Sequence, residues 1–322
     1  MFSNHSSKSV FLLLTALSLN NIACQNENPW HQPGATPTYK ITIGVENCTG
    51  ANPDSELVEI QNKLTEKLEA AHVFYQNIEV NAEKGELTFH IIGHEDAESD
   101  EDFDEILLKE VDIKLVTAIH LADHNTKPWI DTIVQRENLS GIFEPNYIPP
   151  GAVFGKLGGL AVLGGFKKEN TESIIAAFSK YEEELPFSVF IGKNSSNYVD
   201  IEMFLCGVLR SDEIMVSNKD ITRARISPGP DGSIEVVIGM SIEGAEKFRI
   251  MTTEAANDKN REILILLNDE VVSAPRVNEP IIGGSAAISG FFSLKQAELI
   301  STLINIGQLP CDIKVLKKGR IN

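Results

Sequence analysis

Apolar and polar positions alternate from Tyr39 to Val45, a two-residue period that predicts a strand with one face buried. Between residues 55 and 71 the period lengthens. Leu57, Ile60, Leu64, Leu68 and Ala71 fall on one helical stripe, with Asp54 or Ser55 as its cap. Two further strands, Asn77 to Asn81 and Glu86 to Ile92, flank a Glu-Lys-Gly turn. A helix around Asp102 to Glu110 then leads into a strand from Asp112 to His120. The order βαββαβ predicts an α+β fold with a ferredoxin-like split-βαβ base.

The pattern is less regular through residues 125–205. Residues 151–166 are apolar and glycine-rich, Thr171 to Tyr181 has helical spacing, and Phe187 to Ile191 reads as a strand. Ile263 to Leu267 is an uninterrupted apolar run between charged ends, as a strand buried on both faces requires. Pro275 and Pro280 lack a backbone donor and bracket a loop. Ser293 with Gln296 forms a capping box, after which Ala297, Ile300, Leu303 and Ile304 share a helical face and Gly307 ends the helix.

The chain is 322 residues long with 42% hydrophobic residues, enough to bury a large core. Its formal charge of −18 argues against a nucleic-acid partner, since phosphate binding needs clustered Lys and Arg. Lys317, Lys318 and Arg320 read as a solvated tail.

Residues 1–24 read as a targeting segment: Lys8 precedes an apolar core from Val10 to Leu19, too short for a mature membrane span. Ile22 and Ala23 precede Cys24 as in a bacterial lipobox, although Asn21 stands where Leu is usual. The expectation is lipidation at Cys24, the alternative being an ordinary signal peptide cut nearby. Residues 25–38 then form a polar tether. Cys48, Cys206 and Cys311 remain, an odd number that cannot all pair; export permits a disulfide without demanding one.

Candidate chemistry is sparse. The acids between residues 95 and 105 suggest calcium, but they lack EF-hand spacing and read as a solvated helix start. Gly155 and Lys156 lie in the wrong glycine spacing for a phosphate loop, with Leu157 where Ser or Thr would reach magnesium. His90 with His94, and His120 with His124, could hold zinc with Asp123 only if they converge. Ser285 lacks the second glycine of a hydrolase elbow. No catalytic residue, cofactor or metal is assigned.

From Ile214 onward the motifs become specific. The segments GSIEVVIGMSIEGAEKFRIMTTEAAN and REILILLNDEVVSAPRVNEPIIGGSAAISGFFSLKQAELISTLINIGQLP carry Gly244 and Ala245 in a helix, Thr252, and then Asp269 and Val272 with Ser273, Ala274 and Pro275. Gly284, Ile288 and Gly290 follow, and the run Gly307 to Pro310 closes the series. This order resembles the SecD family of protein-export membrane proteins. The resemblance implies a structural role for these residues. It also implies a base at 39–124 completed by 292–322, with an inserted α+β head at 125–291 that is SecD-like from about residue 210. In the family, transmembrane helices follow the Leu-Pro motif and work with SecF on the proton gradient; no apolar stretch after Pro310 could do so here. The expectation is therefore a non-enzymatic, extracytoplasmic protein held to a membrane by its lipid. Its partners would be exported polypeptides or Sec membrane components. The alternatives are a repurposed surface lipoprotein with a structural or ligand-binding role and, behind it, a metal-dependent enzyme.

Overall fold

The computed structural model describes residues 28–48, 53–92, 107–108, 110–123, 125–147, 161–193, 201–210, 215–229, 232–258, 261–289, 293–307 and 309–321. Cys24 and its lipobox, the acidic run 95–105, His94, His124, Gly155, Lys156 and Gly290 lie outside the described residues. In chain order the elements are β1 (Tyr39–Glu46), α1 (Pro53–Ala70), β2 (Phe74–Asn81), β3 (Glu86–Ile92), β4 (Ile113–Thr117), α2 (Thr126–Arg136), β5 (Phe143–Pro145), β6 (Val162–Phe166), α3 (Thr171–Ser179) and β7 (Phe187–Lys193). They continue with β8 (Met203–Leu209), β9 (Val216–Ser217), β10 (Ile221–Pro228), β11 (Ile234–Met240), α4 (Ile242–Asn257), β12 (Ile263–Leu267), β13 (Glu270–Ser273), β14 (Ser285–Ser289), α5 (Leu294–Ile306) and β15 (Asp312–Arg320). The fold is α+β.

A four-stranded antiparallel sheet has the order β15-β1-β3-β2, with α1 and α5 packed together over it. This is the ferredoxin-like order. Tyr39, Ile41 and Ile43 of β1 turn inward against Leu57, Ile60, Leu64 and Leu68 of α1, while Lys40 is exposed. The alternation and the helical stripe thus meet in one core. A disulfide joins Cys48, just after β1, to Cys311, just before β15, and Cys206 is a buried free thiol.

Two expectations about this region need correction. The strand expected from Asp112 to His120 forms as β4 but does not close the base; it pairs with β12 and β9 in an eight-stranded sheet ordered β5-β6-β8-β7-β13-β12-β4-β9. Ile113 and Leu115 enter one core, whereas Val116 and Ala118 enter another. A strand buried on both faces suits a sheet interior, and among the described residues the helices on the base sheet, α1 and α5, share one core with it. Its final helix and strand come instead from α5 and β15. Residues 28–35 are likewise no free tether. Trp30 stacks on His72 and His31 on Tyr75, while Tyr75 N donates to Trp30 O (2.9 Å) and Gln32 N to Tyr75 O (2.8 Å). Two aromatic rings cover apolar surface that water would otherwise meet, and so hold the segment along the edge of β2.

A three-stranded sheet, β10-β11-β14, lies over α4 and α5 in the second core. Central strand β12 is buried on both faces, as its apolar run requires. Helix α5 begins with the Ser293–Gln296 capping box and touches both regions: Leu299 packs against the base core and the head core alike.

Candidate functional site

The motif residues from Gly244 to Pro310 mainly fix backbone. Ser241 caps α4, its Oγ accepting from Gly244 N at 3.0 Å. A Cβ at Gly244 would lie 2.5 Å from Asp220 O, so only glycine allows α4 to start so close to that turn. Gly284 has φ +59°, and a Cβ there would come within 2.7 Å of Ala245 Cβ. Fully buried Thr252 donates from Oγ1 to Phe248 O (2.8 Å) and accepts from Ile281 N (2.9 Å), tying the loop before β14 to α4. Ser273 and Ala274 are buried, and Pro275 O accepts from Ile263 N. Gly307, at φ +65°, ends α5; Pro310 lies beside Cys311 at the start of β15.

Asn268 and Asp269 both have positive φ (52° and 61°), which makes the link from β12 to β13 a two-residue hairpin turn. Asn268 Oδ1 accepts from Asp112 N (2.7 Å), and Lys114 Nζ bridges Asp269 Oδ1 (2.8 Å) and Asp112 Oδ2 (2.7 Å). Those two carboxylates raise the Lys114 pKa. The turn is thereby pinned beside β4.

This turn closes one end of an open cleft of about 460 Å³ in the head. One wall is α3, where Ile174, Ala177 and Phe178 face the core. Ile175, Ser179 and Glu182, four and then three residues apart, form the neighbouring stripe that lines the cleft together with Phe178. The floor is β7, with Phe187, Ser188, Val189, Phe190 and Ile191 all contributing, and Leu205 of β8 beneath. Ile175 remains 46% exposed. Two ion pairs bound the apolar interior: Arg210 with Glu182 at 4.0 Å, and Asp269 with Lys114.

The cleft exists because β13 covers only the end of β7. Their parallel pairing is Glu270 with Ile191 and Val271 with Gly192. A Cβ at Gly192 would meet Val271 O at 2.9 Å and the Phe204 ring at 2.2 Å, so glycine permits this approach. Sequence periodicity did not announce the cleft. The helical spacing of 171–181 and the uncharged face of 187–191 were its available signals.

Of the candidate histidines, the two among the described residues, His90 and His120, lie in different regions, one in β3 of the base sheet and the other just after β4. His90 Nε2 lies 3.1 Å from Glu79 Oε1 in the base, and His120 Nε2 lies 2.7 Å from Glu262 Oε2 in the head. Among the described residues, the one trio of ligand types within reach of a common point is Cys48, Glu56 and Cys311, and both sulfurs are committed to the disulfide. Glu262 is fully buried between His120 and Arg276 (3.3 Å), while Asp123 accepts from His120 N (2.8 Å) and Arg261 Nη1 (2.5 Å). Burial pushes the Glu262 pKa up, but the His120 hydrogen bond and the Arg276 charge outweigh it and hold the carboxyl below the usual glutamate range. Burial and the Arg261 contact oppose each other at Asp123 in the same way, with the same net direction. These pairings describe a buried structural network. Burial also raises the Cys206 pKa, which leaves that thiol unreactive.

Residues 205–311 match the family described as SecDF, P1 head subdomain. The SecD protein translocase subunit of Acidaminococcus fermentans is 36% identical over 107 residues, covering 33% of this chain and 25% of that protein. The corresponding subunit of Petrotoga mobilis is 41% identical over 99 residues, 30% of this chain and 20% of the relative. The chain thus spans about a quarter or less of the length of these relatives. A solved structure described as a SecDF membrane component that enhances protein export aligns over 86% of this chain and 98% of its own, at 18% identity and a TM-score of 0.43. No described helix is long and apolar enough to cross a membrane.

Proposed function

We propose, from the premise that this chain is a SecD P1 domain-like protein, that it works outside the cytoplasm in protein export as a non-catalytic polypeptide-binding module. The observation that carries this reading is the cleft between α3 and β7: an apolar interior left open to water, as partner surfaces are. The similarity over residues 205–311 supplies the export context. The Cys48–Cys311 disulfide supports an oxidising compartment, which export would provide. Lipidation at Cys24 would hold the protein at a membrane, with Sec membrane components within reach.

The test places a photocrosslinking benzoylphenylalanine at Ile175 in the cleft or, as control, at Ile242, which is 92% exposed and outside it. Each purified protein is irradiated with reduced, carboxymethylated α-lactalbumin, a permanently unfolded polypeptide. Strong crosslinking from position 175 and little from 242 is expected. Equal yields from the two positions would sink the reading.

A further inference from the structure

The strand edges of this molecule are treated unequally. The outer edge of β2 is paired at Tyr75 with the backbone of residues 30–32. The outer edge of β10 is closed at Ala224, whose N donates to Asn305 Oδ1 (2.6 Å) and whose O accepts from Asn305 Nδ2 (3.0 Å). Strand β15 carries Lys314, Lys317, Lys318 and Arg320, the charges with which proteins discourage pairing on an edge strand. Strand β7 differs. On the side away from β8 it meets β13 only at Ile191 and Gly192, and among the described residues no strand pairs with Phe187–Phe190 there. That stretch carries no charge, and it faces the cleft.

We infer that residues 187–190 of β7 are a strand-addition site, where an extended polypeptide pairs its backbone with the free edge in line with β13. The inference rests on the polypeptide-binding reading and specifies how the chain is held. A strand rises about 3.3 Å per residue, so the free stretch offers about 10 Å of edge, in which alternate residues turn N–H and C=O outward. A guest lying there would project every second side chain toward Ile175 and Phe178. Charge complementarity selects its composition: the floor is uncharged and each end is occupied by an internally compensated ion pair. A charged residue in the middle would lose hydration without gaining a partner. The ligand class is therefore an extended, uncharged segment with alternating apolar side chains, read mainly through its backbone and hence tolerant of sequence. Such tolerance is what a module handling many different polypeptides requires.

The experiment uses the full chain and a fluorescein-labelled peptide of alternating Val and Ser, with binding read by fluorescence anisotropy. Two analogues carry the same side chains, one N-methylated at every Val and the other at every Ser. A guest strand running parallel to β7, as β13 does, bonds through one edge only, and with that direction set its side-chain alternation fixes which edge that is. One analogue should bind about 10-fold or more weakly, while the other stays within about 2-fold of the parent. Equal effects of the two methylation patterns would overturn strand addition and leave polypeptide binding intact. Failure of the parent peptide itself to bind would overturn both. As a second readout, Ser188→Lys places a charge on the half-buried edge and should weaken the parent peptide about 10-fold without altering thermal unfolding; unchanged binding counts against the site.

Discussion

The base and the head solve the same problem of finishing a β-sheet in opposite ways. In the base, the sheet is clasped by Cys48–Cys311, one edge is paired at Tyr75 with residues 30–32 and the other is lined with lysines. In the head, the longer sheet leaves part of β7 unpaired and bounds it with an apolar wall. On the polypeptide-binding proposal the base is scaffold and the open head is the working part, because a protein leaves an uncharged edge bare only at some risk of aggregation. The comparison predicts where a single change does most damage: at the disulfide in the base and at the buried charge pairing in the head.

The largest effect should come from the head network. Glu262→Ala leaves His120 and Arg276 without their buried partner, and losing one member of a buried pair costs about 3–5 kcal/mol. Urea unfolding should show this loss. The pH dependence has a definite sign. The folded Glu262 pKa is depressed, so its contribution is complete above the unfolded glutamate value and disappears as pH falls through the folded value. The wild-type head should lose stability on the acid side, and Glu262→Gln should flatten that limb. An unchanged acid limb would show that other carboxylates, such as Asp123, dominate it.

The disulfide should rank next. Replacing Cys48 and Cys311 together with Ser should cost about 2–4 kcal/mol, because the bond closes a loop between distant parts of the chain. The loss should fall on the base, and peptide binding in the head should persist at temperatures where the base remains folded. Simultaneous loss of cleft binding and base structure would mean the two regions are not separable.

How much of this was readable beforehand follows the range of the interactions. Leu57, Ile60, Leu64 and Leu68 announced the face of α1, and all are buried; Ser293 with Gln296 announced the start of α5, and their reciprocal bonds form. Those signals are local. Partner choice is not: the pattern through residues 112–120 marks a strand without saying which sheet receives it, and β4 went to the head. Glu262 is the charged residue before the apolar run 263–267, and its sequence position does not show that it is fully buried, with His120 and Arg276 coming to it from elsewhere in the chain. The cleft was least legible, since it results from where β13 begins, and only Gly192 in β7 bears on that. The resemblance drew attention to residues 244–310, where Gly244 and Gly284 stand at close approaches, and said little about the opening beside them.

The smallest predicted effect tests whether the two regions communicate. Helix α5 belongs to both: Leu299 packs in each core, Ala297 and Leu303 lie in the head core, and Asn305 closes the β10 edge. Its first turn depends on Ser293 Oγ, which accepts from Gln296 N at 3.2 Å. Ser293→Ala should cost about 1 kcal/mol through the lost cap. Carried by a helix private to one region, that cost would lower one unfolding transition. Carried by a shared helix, it should lower the transitions of both, as read by hydrogen exchange at β1 amides in the base and β11 amides in the head. Protection lost in only one strand would make α5 a bracket belonging to that region. Equal loss in both would make it a structural element that the two regions share.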